Sequence, residues 1–263
     1  MMPCARRWIM RKRSVDMAKM FGREELLKAL GKIGAALGRD ATVFVLGGGA
    51  MCFRNQKDAT KDLDLVFLKT HSAGNFTKCA RRIGFARPPS IGNEYQMMGA
   101  YDILENADGF RLDVFCKTVC GALSLSQRME KRAEPFGKFG RLEVLLVSNE
   151  DVILFKAITQ RARDADDIAA VVRAARINWD AILNECKEQS MEHKWYGLVY
   201  NKLAEIEEKH GISAQIMGEL LELDKKTILE DAYAEMLSRG MKREDALAEL
   251  GKKGFTKKEL EGL

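Results

Sequence analysis

Asp62 and Asp64 lie one residue apart in Thr60-Lys-Asp-Leu-Asp-Leu65, and a third acid, Asp113, lies in Arg111-Leu-Asp-Val-Phe115. Carboxylate oxygens suit a hard divalent ion, and Mg²⁺ leaves room beside a few of them for water and phosphate oxygens. Strand side chains alternate between faces, so Asp62 and Asp64 share one face while Leu63 and Leu65 take the other. Leu112 and Val114 flank Asp113 in the same way. Upstream, the apolar run Val43-Phe-Val-Leu46 ends in Gly47, Gly48 and Gly49. Glycines after a strand let the backbone approach an anion closely and open a helix whose first N–H groups favour negative charge. An Asp-x-Asp pair or a Gly-Gly pair alone is commonplace. The ordered set is not, because three converging carboxylates repel one another unless a cation neutralises them. The expected chemistry is a divalent ion held by Asp62, Asp64 and Asp113 against a phosphate chain.

These residues need elements to position them. Arg23 to Leu37 has the three- and four-residue apolar spacing of an amphipathic helix. Thr42 to Leu46 is a strand running into the glycines, with a short helix from Ala50 to about Asn55. Leu63 to Leu68 is a second strand, and a helix is expected around Phe76 to Ile83. Tyr101–Leu104 and Phe110–Phe115 pair as a hairpin across Asn106, Asp108 and Gly109, and Arg141 to Val147 is one more strand. From Ser148 the pattern becomes helical, with an acidic variant of the capping box in Ser148 and Asp151. Further helices are expected at 164–176, 179–188, 194–209, 214–221, 226–237 and 242–250, with a capping box at Thr256 and Glu259. The expected architecture is a mixed-sheet α/β (α+β) region followed by an all-helical one. Its divisions are a basic arm at 1–20, a sheet-bearing region at 21–148 and a helical region at 149–263.

The succession of apolar strand, Gly-Gly, short helix, Asp-Leu-Asp-Leu and later apolar-Asp-apolar resembles the nucleotidyltransferase superfamily of the DNA polymerase β type. It is closest to small prokaryotic members, some of them antitoxin-like. The likeness covers roughly residues 25 to 172 and includes the stretch Ile153 to Ile168 with Lys156, Arg161, Arg163, Asp164 and Asp167. It implies transfer of a nucleoside monophosphate from a nucleoside triphosphate to a hydroxyl of a protein, RNA or small molecule. It further implies Asp62, Asp64 and Asp113 as catalytic metal ligands for Mg²⁺ or Mn²⁺, with Gly47 and Gly48 at the β- and γ-phosphates. Lys61 and Lys156 are the expected nucleotide-binding cations, ATP being one candidate nucleotide. The chain departs from many relatives in having Asp58 where they place a basic residue; Lys57 or Lys61 could substitute. Lys69 and Arg54 are further phosphate candidates, and Arg161 and Arg163 with Lys156 a second basic rim, unless they pair with Asp164, Asp166 or Asp167.

Composition allows this chemistry without dictating it. The 263 residues are 46% hydrophobic and 31% charged, typical of a globular chain with a sizeable core. A net charge of +5 from 43 basic and 38 acidic residues permits a polyanionic partner without requiring one. The clearest basic cluster, Arg6 to Arg13, reads as a mobile tail more readily than as a nucleic-acid arm. No apolar run is long enough for a membrane span, and the arm lacks a signal peptide's features, so a cytoplasmic location is expected. Six cysteines, Cys116 and Cys120 among them, show no disulfide or zinc spacing. A rival reading is a partner-binding module, such as an antitoxin docking a toxin chain through the helical tail around Trp195 and Tyr196. RNA binding by Lys252, Lys253, Lys257 and Lys258 is diluted by Glu249, Glu259 and Glu261.

Overall fold

The structure is a computed structural model describing residues 19–89, 99–159, 161–193 and 195–263. Most of the basic arm, including Arg6 to Arg13, lies outside the described residues. The chain begins with β1 (Phe21–Gly22), α1 (Arg23–Ala36), β2 (Ala41–Leu46), α2 (Gly47–Phe53), β3 (Ala59–Thr60), β4 (Asp62–Phe67) and α3 (Thr70–Arg82). It continues through β5 (Asp102–Glu105), β6 (Arg111–Cys116), β7 (Thr118–Val119), β8 (Leu123–Ser124), α4 (Gln127–Arg132), β9 (Glu134–Phe139) and β10 (Leu142–Leu146). Helices alone follow among the described residues: α5 (Asn149–Thr159), α6 (Asp164–Ala174), α7 (Trp179–His193), α8 (Tyr196–His210), α9 (Met217–Ser238), α10 (Arg243–Lys252) and α11 (Lys257–Leu260). The mixed α/β region followed by helices is therefore the observed architecture.

The main sheet has the order β8-β7-β6-β4-β2-β10-β9, with β5 also on β6, while β1 and β3 pair separately. β4 and β6 are parallel, as are β2 and β10, whereas β2 and β4 run antiparallel. Val43 to Leu46 are buried throughout, as befits a central strand with both faces covered. β4 alternates instead, Leu63 and Leu65 being fully buried and Asp62 and Asp64 half-buried. The hairpin turn between β5 and β6 is closed by Asn106, whose Oδ1 accepts from the N–H groups of Asp108 and Phe110.

Three expected boundaries move. α2 begins at Gly47 rather than Ala50, so the glycines form the helix's first turn. α3 begins at Thr70, six residues before Phe76. The segments expected at 214–221 and 226–237 form the single helix α9, because Glu222-Leu-Asp-Lys-Lys226 contains neither Gly nor Pro to stop it.

At the junction of strands and helices, Ser148 Oγ accepts from the Asp151 N–H and donates to the Asp151 carboxylate. That carboxylate also receives Arg132 Nε, and Arg132 Nη2 reaches Glu185 at 3.0 Å. Asp151 and Glu185 are completely buried, so this network fastens α4, α5 and α7 together. One hydrophobic core runs from Phe21 to Leu220 and spans the sheet and α5 to α9. Trp195 and Tyr196, read from sequence as the docking region of the helical tail, pack half-buried against that core. Among the described residues no helix is long and apolar enough to cross a membrane.

Candidate functional site

Strand register builds one wall of the site. In the parallel β4–β6 pair, Asp62 lies opposite Arg111 and Asp64 opposite Asp113. Alternation puts all four side chains on one face, with Leu63, Leu65, Leu112 and Val114 buried on the other. Arg111 Nη2 donates to Asp62 Oδ2 at 2.5 Å and to Asp113 Oδ2 at 2.9 Å. Arg111 Nε lies 2.8 Å from Asp113 Oδ1, an ion pair without hydrogen-bond alignment, and that oxygen is buried.

The glycines fit the acids closely. Gly47 has φ +60, and a Cβ there would stand 2.4 Å from Asp64 Oδ2. A Cβ on Gly48 would stand 2.5 Å from Thr60 Oγ1. The first turn of α2 therefore lies against the acidic strand only because these residues lack side chains.

The opposite wall comes from the α5–α6 turn. A cleft of about 600 Å³ is lined by Gly47, Gly48, Lys57, Thr60, Lys61, Asp62 and Asp64 on one side. Phe155, Lys156, Thr159, Arg161, Arg163, Asp164 and Asp167 line the other, with Cys120 nearby. This volume suits a drug-sized or nucleotide-sized ligand. Lys156 Nζ donates to Asp167 at 2.6 Å and Asp164 at 3.1 Å, and Lys57 Nζ donates to both Asp167 oxygens at 2.7 and 2.8 Å. Asp164 also accepts from Thr159 Oγ1 and the Arg161 N–H, which pins the turn.

Electrostatics differ between the walls. Burial pushes the Asp64 carboxyl well up, and the neighbouring charges of Asp62 and Asp113 push it further. Burial likewise raises Asp113 to about 6, although Arg111 opposes it. Burial raises the Cys120 thiol to about 11, so it stays protonated and unreactive at neutral pH. On the other wall, burial acts to raise Asp167, but Lys156 and Lys57 outweigh it and hold the carboxyl below its ordinary value.

A divalent ion fits the donor chemistry of Asp62 and Asp64, which face the cleft with excess negative charge around them. Asp113 is 1% exposed, covered by Arg111 and absent from the cleft lining. Among the described residues no group of three His, Cys, Asp or Glu side chains converges as a ready metal-binding set. The structure thus brings Asp62, Asp64, Gly47, Gly48, Lys61 and Lys156 to one cleft, with Asp113 beside Asp64 on β6 and outside the cleft lining. Two phosphate candidates fall elsewhere. Arg54 is turned away to Glu134 and the Val147 carbonyl, and Lys69 is exposed at the start of α3, outside the cleft lining. Arg111 and Thr60 are site residues that the motif reading passed over. Arg111 had a signal, since it stands two residues from Asp113 in a strand and must share its face.

Residues 93–209 match a family described as nucleotidyltransferase of unknown function, which bears out the nucleotidyltransferase resemblance. That span includes Asp113, α5 and α6 but begins after Asp62 and Asp64. A comparison with curated proteins finds no match. Among solved structures, the chain is similar to ANT(2")-Ia in complex with adenylyl-2"-tobramycin. The identity is 16% and the TM-score 0.42, over 60% of this chain and 93% of that one. It is also similar to a candidate nucleotidyltransferase from H. pylori, at 17% identity and a TM-score of 0.38, over 77% of this chain and 90% of that one. At these scores the likeness is too distant to speak to substrate.

Proposed function

We propose that the chain is a Mg²⁺-dependent nucleotidyltransferase that moves a nucleoside monophosphate from a nucleoside triphosphate to a hydroxyl acceptor, releasing pyrophosphate. The observation that carries this reading is the pairing of Asp62 and Asp64 with the Gly47–Gly48 turn at one end of a cleft whose far side carries Lys156, Arg161 and Arg163 beside Asp164 and Asp167. In this reading residues 21–148 supply the acids and glycines, and 149–263 supply the basic wall and the remaining helices.

Asp62 and Asp64 would hold the ion, with Asp113 the third carboxylate beside Asp64, still paired with Arg111. Mn²⁺ could take the same ligands. When bound, the ion supplies Lewis-acid stabilisation of the phosphates and acidifies the attacking hydroxyl. Backbone N–H groups of Gly47 and Gly48 donate to phosphate oxygens, and Lys61 and Lys156, with Lys57 and Arg161 beside them, offset phosphate charge. The acceptor oxygen bonds to the α-phosphorus as the bridging bond to the β-phosphate breaks, and pyrophosphate leaves with that electron pair. A carboxylate of the acidic wall takes the acceptor proton. Positioning and fixed charge do most of the work.

Calorimetric titration with ATP, CTP, GTP and UTP, with and without Mg²⁺, tests the reading. At least one nucleotide is expected to bind in a metal-dependent way, and Asp64→Asn should abolish that binding. If no triphosphate binds and Asp64→Asn changes nothing, the enzyme reading fails. One observation favours a second reading, a partner-binding protein of this fold such as an antitoxin: Arg111 already occupies Asp62 and Asp113. A chain that captures a protein partner and binds no nucleotide would favour it.

A further inference from the structure

The acidic wall is a two-by-two array, Asp62 beside Arg111 and Asp64 beside Asp113, fixed by the parallel register of two strands. When all three carboxylates are ionised, Arg111 offsets only one of their charges within the array. The guanidinium is not a bystander at the edge of this array. It spans the two acids that flank it, touching Asp62 at 2.5 Å and Asp113 at 2.8 and 2.9 Å, and its side chain is only 17% exposed. Asp64, by contrast, is governed by burial and by neighbouring charges alone.

We infer that Arg111 is a resident counter-cation whose hold on Asp62 a divalent ion must displace, so that this side chain sets the affinity of the Asp62–Asp64 site. The inference rests on the metal-nucleotide reading above. Its physical basis is competition for the same oxygens. Asp62 Oδ2 cannot accept from Arg111 Nη2 and ligate an ion at full strength together, and the guanidinium charge repels any cation placed between Asp62 and Asp64. Asp113, the more deeply buried acid, keeps Arg111 as its partner after the exchange, which avoids an uncompensated buried carboxylate. Arg111 approaches Asp113 through Nε as well as Nη2, a second point of attachment that the single ammonium of a lysine does not offer. The arrangement keeps the acids folded and partly neutralised when no ion is bound, and it makes cation binding weaker than three bare carboxylates would give.

The test is titration of the full-length chain with Mn²⁺, free ion being followed by electron paramagnetic resonance, for wild type, Arg111→Gln and Arg111→Lys. Thermal midpoints are measured in EDTA alongside. Arg111→Gln should bind Mn²⁺ at least about tenfold more tightly, each tenfold being about 1.4 kcal/mol. Its midpoint in EDTA should fall below wild type and recover on adding Mn²⁺. Arg111→Lys should lie between the two, and it decides the matter if Arg111→Gln does not fold. If a folded variant binds Mn²⁺ equally or more weakly than wild type, Arg111 supports the ion instead of competing with it, and the inference is overturned while the metal reading stands. If neither wild type nor the variants bind Mn²⁺, the metal reading itself fails and takes the inference with it.

Discussion

At the sheet wall of the cleft one guanidinium, Arg111, serves Asp62 and Asp113 but not Asp64, whereas at the helix wall Lys156, with Lys57 reaching across from the sheet side, shares two carboxylates, Asp164 and Asp167. The consequences run in opposite directions. Burial and mutual repulsion hold Asp64 and Asp113 above the ordinary carboxylate range. Burial acts on Asp167 too, but its lysines more than compensate. The sheet wall is therefore short of positive charge and suited to taking up a cation. Lys57 and Lys156 balance Asp164 and Asp167, and the two lysines hold the α5–α6 turn in place before any phosphate arrives. A basic rim counted from sequence overstates the charge a polyanion would meet there.

The comparison breaks most visibly at Asp167. Replacing it with Ala leaves Lys57 without its carboxylate and Lys156 with Asp164 alone, and should lower stability by about 3 kcal/mol, the lower end for breaking a buried pair. Urea unfolding measures this; an unchanged midpoint would mean that the lysines simply turn to solvent.

A smaller effect probes the sheet wall. Gly47→Ala puts a side chain at φ +60 and against Asp64 Oδ2. The left-handed strain should destabilise the fold by about 1–2 kcal/mol. The displaced carboxylate should also weaken Mn²⁺ binding several-fold. Equal ion affinity in the folded variant would show that Asp64 need not sit against the glycine turn.

The smallest effect is in pH dependence. Because the Asp167 carboxyl is held low, its stabilisation is present above the ordinary carboxylate value near 4 and is lost as pH falls through its lowered value. The stability gap between wild type and Asp167→Asn should therefore narrow as pH falls from 5. A gap that is constant or widens on acidification would show that the lysine partnership does not set this carboxyl.

How much was legible in the sequence follows from where each interaction is encoded. β4 could be read because alternation of Asp and Leu is local, and β2 because an apolar run ends in glycines. β9 could not: Pro135 and Gly137 interrupt the strand pattern, and they are tolerated because β9 is at the edge of the sheet. Two-residue strands such as β7 and β8 are too short to show any period. At the site, Asp62, Asp64 and the glycines were visible as a motif. The Arg111–Asp62 contact depends on the register of two parallel strands joined by a long crossover, which no local pattern records. Likewise, Arg161 and Arg163 are near Asp164, Asp166 and Asp167 in sequence, but the ion pairs that Lys156 and Lys57 make with Asp164 and Asp167 depend on tertiary packing.

The core that passes without interruption from the sheet into α5 to α9 bears on how a substrate could enter. Val152, Ile153, Leu154 and Ala157 of α5 are fully buried in it, so the helix carrying Lys156 cannot swing on a hinge without opening close-packed apolar surface. Rigid-body closure of two lobes, the usual way of sealing a cleft between domains, would carry that cost at this pair of walls. The side chains and short turns at the rim, Lys61, Arg161 and Arg163 among them, move over shorter distances without it.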